Sequence, residues 1–208
     1  MALAIPLGVS TLLNRLPRAG EKVAVCLVTS LLLLWSSVLP CLAPAWVKGR
    51  LVNLETTIDA NGVCLQSTRY TCGPAAAVTA LRKLGLPAGE GEIAILSCAS
   101  PVTGTLPTSL CKALRNRYGS DGLECRYRLF DSISQLGDSG ITLAVVKDAF
   151  LLDHCVTVLA IADETVTVAD PSVGLRSMSR AQFEAIWRFC GIVLNRSGPE
   201  EHPDRDQG

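Results

Sequence analysis

CLQSTRYTCGPAAAVTALRKLG, residues 64–85, sets a polar approach, a cysteine and a small-residue helix in direct succession. Gly73–Leu84 has helical apolar spacing, Pro74 suits the first turn, and Gly85 is placed to end the helix as its C′ residue. Cys72 therefore stands at the helix start, where N–H groups lack intrahelical acceptors and carry partial positive charge that favours thiolate over thiol. The thiolate is the nucleophilic form, so the placement is that of a reactive cysteine. Gly73 is expected to leave the sulfur uncrowded, and Ala75, Ala76 and Ala77 to let the helix pack closely on a sheet. Six residues upstream, Gln66 carries an amide that can donate to an oxyanion formed beside the sulfur.

The order of elements after this helix predicts an α+β domain. Glu90–Ser97 is a short helix, and Thr105 or Thr108 can cap a third that ends at Tyr118. Leu123, Cys125, Tyr127 and Leu129 then alternate with polar residues, the period of an amphipathic strand. Ile141–Val146, Cys155–Ile161 and Thr165–Ala169 are strand runs, the last two joined by a turn at Asp163-Glu164. Ser179 caps a short helix through Trp187, and Gly191–Leu194 makes a final strand. Helices first and an antiparallel sheet second is an α+β order.

Alone, Cys72 reads as a packing cysteine; His154 changes that reading. The chain has two histidines, and the other, His202, lies in a charged, Pro/Gly-rich tail that predicts disorder. His154 opens the strand HCVTVLAI after a short loop, 148–153, and can face a cleft as a general base. Asp170 ends the partner strand before Pro171, and counting from the turn puts it at the same open end as His154. A carboxylate there can hold the imidazole tautomer and stabilise the imidazolium. An Asp-Pro pair also initiates turns, a role equally open at this point.

Gln66, Cys72 with Gly73 and the small-residue helix, then His154 and Asp170-Pro171, resemble the bacteriocin-processing cysteine peptidases, the double-glycine leader peptidase family of papain-like fold. The resemblance covers Cys64 to about Leu194. It implies Cys72 as nucleophile, His154 as base, Asp170 as its orienting partner, Gln66 in the oxyanion hole, and a leader or precursor peptide cut after a small pair such as Gly-Gly. Two positions depart from the family pattern: Thr71 stands where an acidic residue often precedes the cysteine, and Cys155 where an aromatic often follows the histidine. The 208 residues hold no transporter or ATPase, so any coupling to export is expected through a separate transporter.

An apolar fraction of 49% against 18% charged residues is high for a plain globular chain, and the excess has one location. From Val23 to Val47 no charged residue occurs, a length that can cross a bilayer core of about 30 Å. A cleaved secretory signal is the rival reading, since Ala43-Pro44-Ala45 offers a cleavage-like site. The apolar run exceeds a usual signal core of about 7–15 residues and the preceding region is long, which favours an uncleaved signal anchor. The expected organisation is an N-terminal flank (1–22), a transmembrane anchor (23–47), a papain-like peptidase domain (51–195) and a tail (197–208). More Lys/Arg precede the span than closely follow it, which points the catalytic domain to the periplasm or exterior.

Zero formal net charge without a basic stripe argues against a nucleic-acid partner. Nine cysteines include no CxxC or Cys/His ligand spacing, so neither metal nor other cofactor is expected. Seven lie outside the apolar run, an odd number that suits one functional thiol and up to three bridges if the domain is exported. Cys155 and Cys190 sit in strand-like runs and read as packing residues, while Arg126, Lys147 and Arg176 read as solvated charges. The same three catalytic residues also suit papain-like acyl transfer or amidase action, because the acyl-enzyme is shared. A non-catalytic leader-peptide-binding module is the remaining alternative, though such modules usually lose the cysteine or histidine.

Overall fold

The structure, a computed structural model, describes residues 18–149 and 152–197, the side chains of 40 and 41 excepted. The predicted tail from residue 198 and the flank before residue 18 lie outside the described residues. The chain divides into two compact units, 1–43 and 44–208. Helix α1 spans Ala19–Val52, and it is the one helix among the described residues long and apolar enough to cross a membrane by length and composition. In the first unit Leu27, Leu31, Leu32, Leu34 and Trp35 are all exposed.

In the second unit a two-stranded ribbon, β1 (Thr57–Ile58) with β2 (Cys64–Leu65), leads into α2 (Cys72–Lys83), α3 (Glu90–Leu96) and α4 (Pro107–Tyr118). There follow β3 (Leu123–Leu129), α5 (Ile133–Gly137), β4 (Ile141–Ala149), β5 (Leu152–Ile161), β6 (Thr165–Asp170), β7 (Gly174–Ser179), α6 (Arg180–Ile186) and β8 (Trp187–Arg196). The sheet is antiparallel throughout, in the order β3-β8-β4-β5-β6-β7. This is the α+β architecture expected from the element order.

Period-two alternation divides the sheet into two faces. Leu123, Cys125, Leu143, Ile192 and Leu194 join the core formed with α2 and α4. Their strand neighbours Ala144 and Val193, with Val156, Val158, Val166 and Val168, join the opposite core with Phe183 and Trp187. The alanine run does what small residues allow: Ala75, Ala76 and Ala77 are fully buried, and the Ala76 carbonyl accepts the Thr157 hydroxyl of β5 at 2.8 Å. Helix and sheet are thus joined by a hydrogen bond as well as by packing.

Several boundaries differ from expectation, each for a tertiary reason. β4 and β5 run further toward each other than their β-branched cores, so His154 is the third residue of β5 rather than its opening residue. Trp187 begins β8 instead of ending α6, and its ring is buried against Phe130 and Phe183. Neither Thr105 nor Thr108 caps α4; Leu106 holds the cap position with Pro107 in the first turn, while the Thr105 hydroxyl donates to the Tyr70 carbonyl at 3.1 Å. Strand β7 has one buried residue of six, so it lacks the apolar signal that marked the other strands. Ser179 does cap α6, in a capping box with Gln182.

Candidate active site

Cys72 is the first residue of α2, and the Thr71 carbonyl before it accepts the Ala75 N–H at 3.0 Å. The Cys72 N–H therefore belongs to the helix-start donors that have no intrahelical acceptor. Thr71, where the family pattern is often acidic, is fully buried and knits the approach loop: its hydroxyl accepts the Thr68 N–H at 3.1 Å and donates to the Thr68 carbonyl at 3.0 Å. Gly73 also serves the packing of the helix. A Cβ there would lie 3.2 Å from the Thr105 Cβ and 3.3 Å from Leu110, so the glycine admits the approach to α4.

His154 and Asp170 meet. The imidazole Nε2 lies 2.8 Å from Asp170 Oδ1, and both side chains are mostly buried. The register explains the meeting. Thr157 pairs with Ala169, so extending the β5–β6 ladder sets His154 opposite Ser172 and diagonal to Asp170, within side-chain reach. His154 and Asp170 also share the sheet face of Val156 and Val168, where they line one small cavity of about 70 Å³. Cys72 does not line that cavity.

The electrostatics of the pair favour imidazolium and carboxylate. Burial alone lowers the His154 pKa, but hydrogen bonds to Asp170 and to Cys72, with the charges of both, overcome it and raise the pKa from 6.5 to about 9. With Nε2 committed to Asp170, Nδ1 is the nitrogen left for Cys72. Asp170 is held below the usual carboxylate range: burial pushes it up, but the His154 bond, the Ser172 N–H, the His154 charge and Arg176 push it further down.

Asp170 also keeps the turn role open to an Asp-Pro pair. Its Oδ1 accepts the Ser172 N–H at 2.9 Å, and its carbonyl accepts the Val173 N–H at 3.2 Å. Arg176, expected to be a solvated charge, is a correction: its guanidinium contacts Asp170 Oδ2 at 3.4 Å. Register accounts for this too, because Arg176 pairs with Val168 and shares its face with Asp170.

Gln66 is pinned from two directions. Its N–H donates to the Pro171 carbonyl at 2.9 Å, which ties it to the turn that carries Asp170. The Ser172 hydroxyl donates to Gln66 Oε1 at 3.4 Å, leaving the NH2 end of the amide directed elsewhere, and lies 3.5 Å from His154 Nε2. The following residue is clamped by Glu90, whose buried carboxylate accepts the Ser67 N–H at 2.8 Å and the Ser67 hydroxyl at 2.6 Å. Sequence reasoning missed Ser172 and Glu90. A serine two residues after an aspartate is a recognisable turn signal, but nothing in the sequence ties it to Gln66. Glu90 looks like any acidic residue of a first helical turn.

Two further thiols of the second unit are held in the protonated form. Burial, with the nearby Glu90 charge, pushes Cys64 up to about 12 against the opposing charge of Arg82. Burial together with the Cys72 and Cys190 charges also raises Cys155 well above its ordinary value. Both are packing residues. Among the described residues no cluster of His, Cys, Asp and Glu could hold a metal ion.

A helix-start cysteine, a histidine shared between that cysteine and an aspartate, and an antiparallel sheet behind them make up the arrangement of a papain-like cysteine peptidase domain. The chain belongs to the peptidase C39 family, whose model matches residues 61–198. It is 30% identical over 141 residues to an uncharacterised protein of Methanothermobacter thermautotrophicus, covering 68% of this chain and 92% of that one. A second uncharacterised protein, from Methanothermobacter marburgensis, is 34% identical over 129 residues, or 62% of this chain and 83% of the relative. In fold it is similar to the peptidase domain of Streptococcus ComA, a bi-functional ABC transporter involved in a quorum-sensing pathway. The TM-score is 0.56 at 22% identity, over 64% of this chain and 96% of that domain. It is also similar to a double glycine motif protease from an AMS/PCAT transporter, solved with the leader peptide, with a TM-score of 0.52 at 16% identity over 69% and 93% of the two chains.

Proposed function

We propose that this protein is a membrane-anchored cysteine peptidase that cuts leader or precursor peptides after a small-residue pair such as Gly-Gly. The observation that carries the reading is His154, bonded at 2.8 Å to Asp170 and raised in pKa by that bond and by the neighbouring Cys72 sulfur. In this reading residues 23–47 are the anchor and 51–195 the peptidase domain, facing the periplasm or exterior. Support for the anchor is the length and apolar character of α1. The choice of a double-glycine leader rests on the resemblance to peptidases of that kind, and a separate exporter would receive the product.

In this reading each residue of the site has one role. His154 takes the Cys72 proton, and the thiolate attacks the carbonyl carbon of the scissile peptide. Charge that develops on the carbonyl oxygen is met by the Cys72 N–H and the Gln66 amide NH2. The imidazolium then gives its proton to the departing amine, leaving a thioester on Cys72. Water, deprotonated by His154, attacks the thioester and releases the acid. Asp170 holds the imidazole orientation and offsets its positive charge throughout.

Incubating the protein with a peptide that contains a Gly-Gly pair tests the reading by mass spectrometry. Cleavage after the pair, abolished in Cys72→Ala while circular dichroism is unchanged, is the expected result. Equal cleavage by Cys72→Ala would refute the role of the cysteine, and products that carry a supplied amine in place of water would point to acyl transfer.

A further inference from the structure

Two cysteines outside the active site meet in the core. Cys111 on α4 and Cys125 on β3 are both buried, and their sulfurs lie 2.8 Å apart, with the Cys125 thiol donating. Each arrives there by regular geometry: Cys111 shares the inward face of α4 with Leu110 and Leu114, and Cys125 alternates inward with Leu123. Arg115, one helical turn beyond Cys111, fixes the two backbones relative to each other. Its guanidinium donates to the Cys125 carbonyl at 2.8 Å and stands 3.9 Å from the Cys111 sulfur.

We propose that Cys111 and Cys125 are a disulfide-forming pair that staples α4 to β3 when the domain meets a small-molecule disulfide such as glutathione disulfide. A bond of about 2.05 Å needs only a small approach of sulfurs already facing each other. The protons of the pair are distributed to suit the exchange. The Cys125 hydrogen bond, and then the charge and hydrogen bond of Arg115, hold Cys111 down to about 6 against burial, while Cys125 is raised by the same bond and by burial. With the Arg115 guanidinium 3.9 Å from its sulfur, Cys111 is the thiol placed to attack as thiolate.

The exchange balances in two steps. Cys111 sulfur attacks one sulfur of glutathione disulfide, forming a mixed disulfide and releasing one glutathione thiolate. Cys125 gives up its proton, and its sulfur attacks Cys111 Sγ, breaking the Cys111–glutathione bond and releasing the second glutathione. The two protein thiols lose two electrons and two protons, and glutathione disulfide becomes two glutathiones.

β3 is an edge strand, held laterally by β8 alone. A bridge to α4 gives it a second tether and closes a short loop, the geometry in which a cross-link limits the unfolded chain. Such a bond persists in oxidising compartments, so it also bears on where the domain resides. The pair is distinct from Cys72, and the inference stands whether or not the peptidase reading holds.

Peptide mapping tests it. The full chain in detergent is equilibrated with glutathione and glutathione disulfide at the poise of an oxidising compartment. It is then quenched in acid, denatured in N-ethylmaleimide and digested with trypsin. The tryptic peptides 84–112 and 118–126 are expected to be joined, with fragmentation placing the link on Cys111. Cys98→Ser is expected to leave the link intact and Cys111→Ser to remove it. Maleimide on both Cys111 and Cys125, glutathione retained on Cys111, or Cys125 joined to any other cysteine would overturn the proposal.

Discussion

Replacing Asp170 by asparagine keeps an acceptor at the His154 ring and removes its charge. In the wild-type protein the imidazole pKa is raised from 6.5 to about 9, which corresponds to about 3 kcal/mol of preference for the charged ring. Burial works against that preference, and the Asp170 hydrogen bond is the largest contribution in its favour. Asp170→Asn should therefore remove about 2 kcal/mol of it and bring the titration down toward 6.5. The chain holds only two histidines, so the imidazole NMR spectrum is simple, and His202→Gln assigns it. The signal that persists in His202→Gln, that of His154, should titrate near pH 9. The sign carries over to stability: because the folded pKa is raised, the stabilisation is complete below about pH 6.5 and is lost as pH rises through about 9. Asp170 has the opposite sense, its contribution being lost as pH falls through its lowered pKa. If His154 titrated at or below 6.5 in the wild type, or were unmoved in Asp170→Asn, the electrostatic reasoning would fail.

Ser172→Ala removes the hydroxyl that engages Gln66 Oε1 but keeps the N–H that serves Asp170. Loss of about 1 kcal/mol of oxyanion positioning is expected, read as kcat down about fivefold with KM and the His154 titration unchanged. Glu90→Gln cannot supply both acceptors now used by Ser67, and should cost about 1.5–3 kcal/mol in urea unfolding together with a fall in kcat. Gly191→Ala would set a Cβ 2.7 Å from the Leu143 carbonyl and 2.9 Å from Thr142 on the neighbouring strand. Backbone that cannot yield makes this a loss of about 1–3 kcal/mol, seen as a lower urea midpoint with an unchanged slope.

What could be read from the sequence was whatever local chemistry decides. The α2 helix announces itself by apolar spacing, and Cys72 by standing at its start. His154 and Asp170 could be paired because one turn joins their strands and the count from that turn is short. Sheet order was not legible: β8 inserts between β3 and β4, which are neighbours in sequence, and no local pattern encodes that choice. β7 escaped notice because apolar residues are sparse on both faces, Leu175 standing with Ser177 and Ser179 on one and Met178 with Gly174 and Arg176 on the other. Contacts that converge from distant segments were likewise hidden. Gln66 and Ser172 are 106 residues apart, and Ser67 and Glu90 are joined only after α2 folds between them. Arg176 was misjudged for the same reason, since only the β6–β7 register brings a plain surface arginine to Asp170.

The central claim is that His154 activates Cys72, and a competition among thiols tests it without any knowledge of the substrate. Cys98 is exposed, whereas Cys72 is only partly so, which makes Cys98 the internal reference. Limiting iodoacetamide at pH 6, where ordinary thiols of pKa about 8.5 are almost wholly protonated, is followed by peptide mass spectrometry. Cys72 should be labelled faster than Cys98 despite its lower exposure, and His154→Ala should abolish that lead. Labelling of Cys98 as fast as Cys72 in the wild-type protein, or a Cys72 rate indifferent to His154→Ala, would contradict the account.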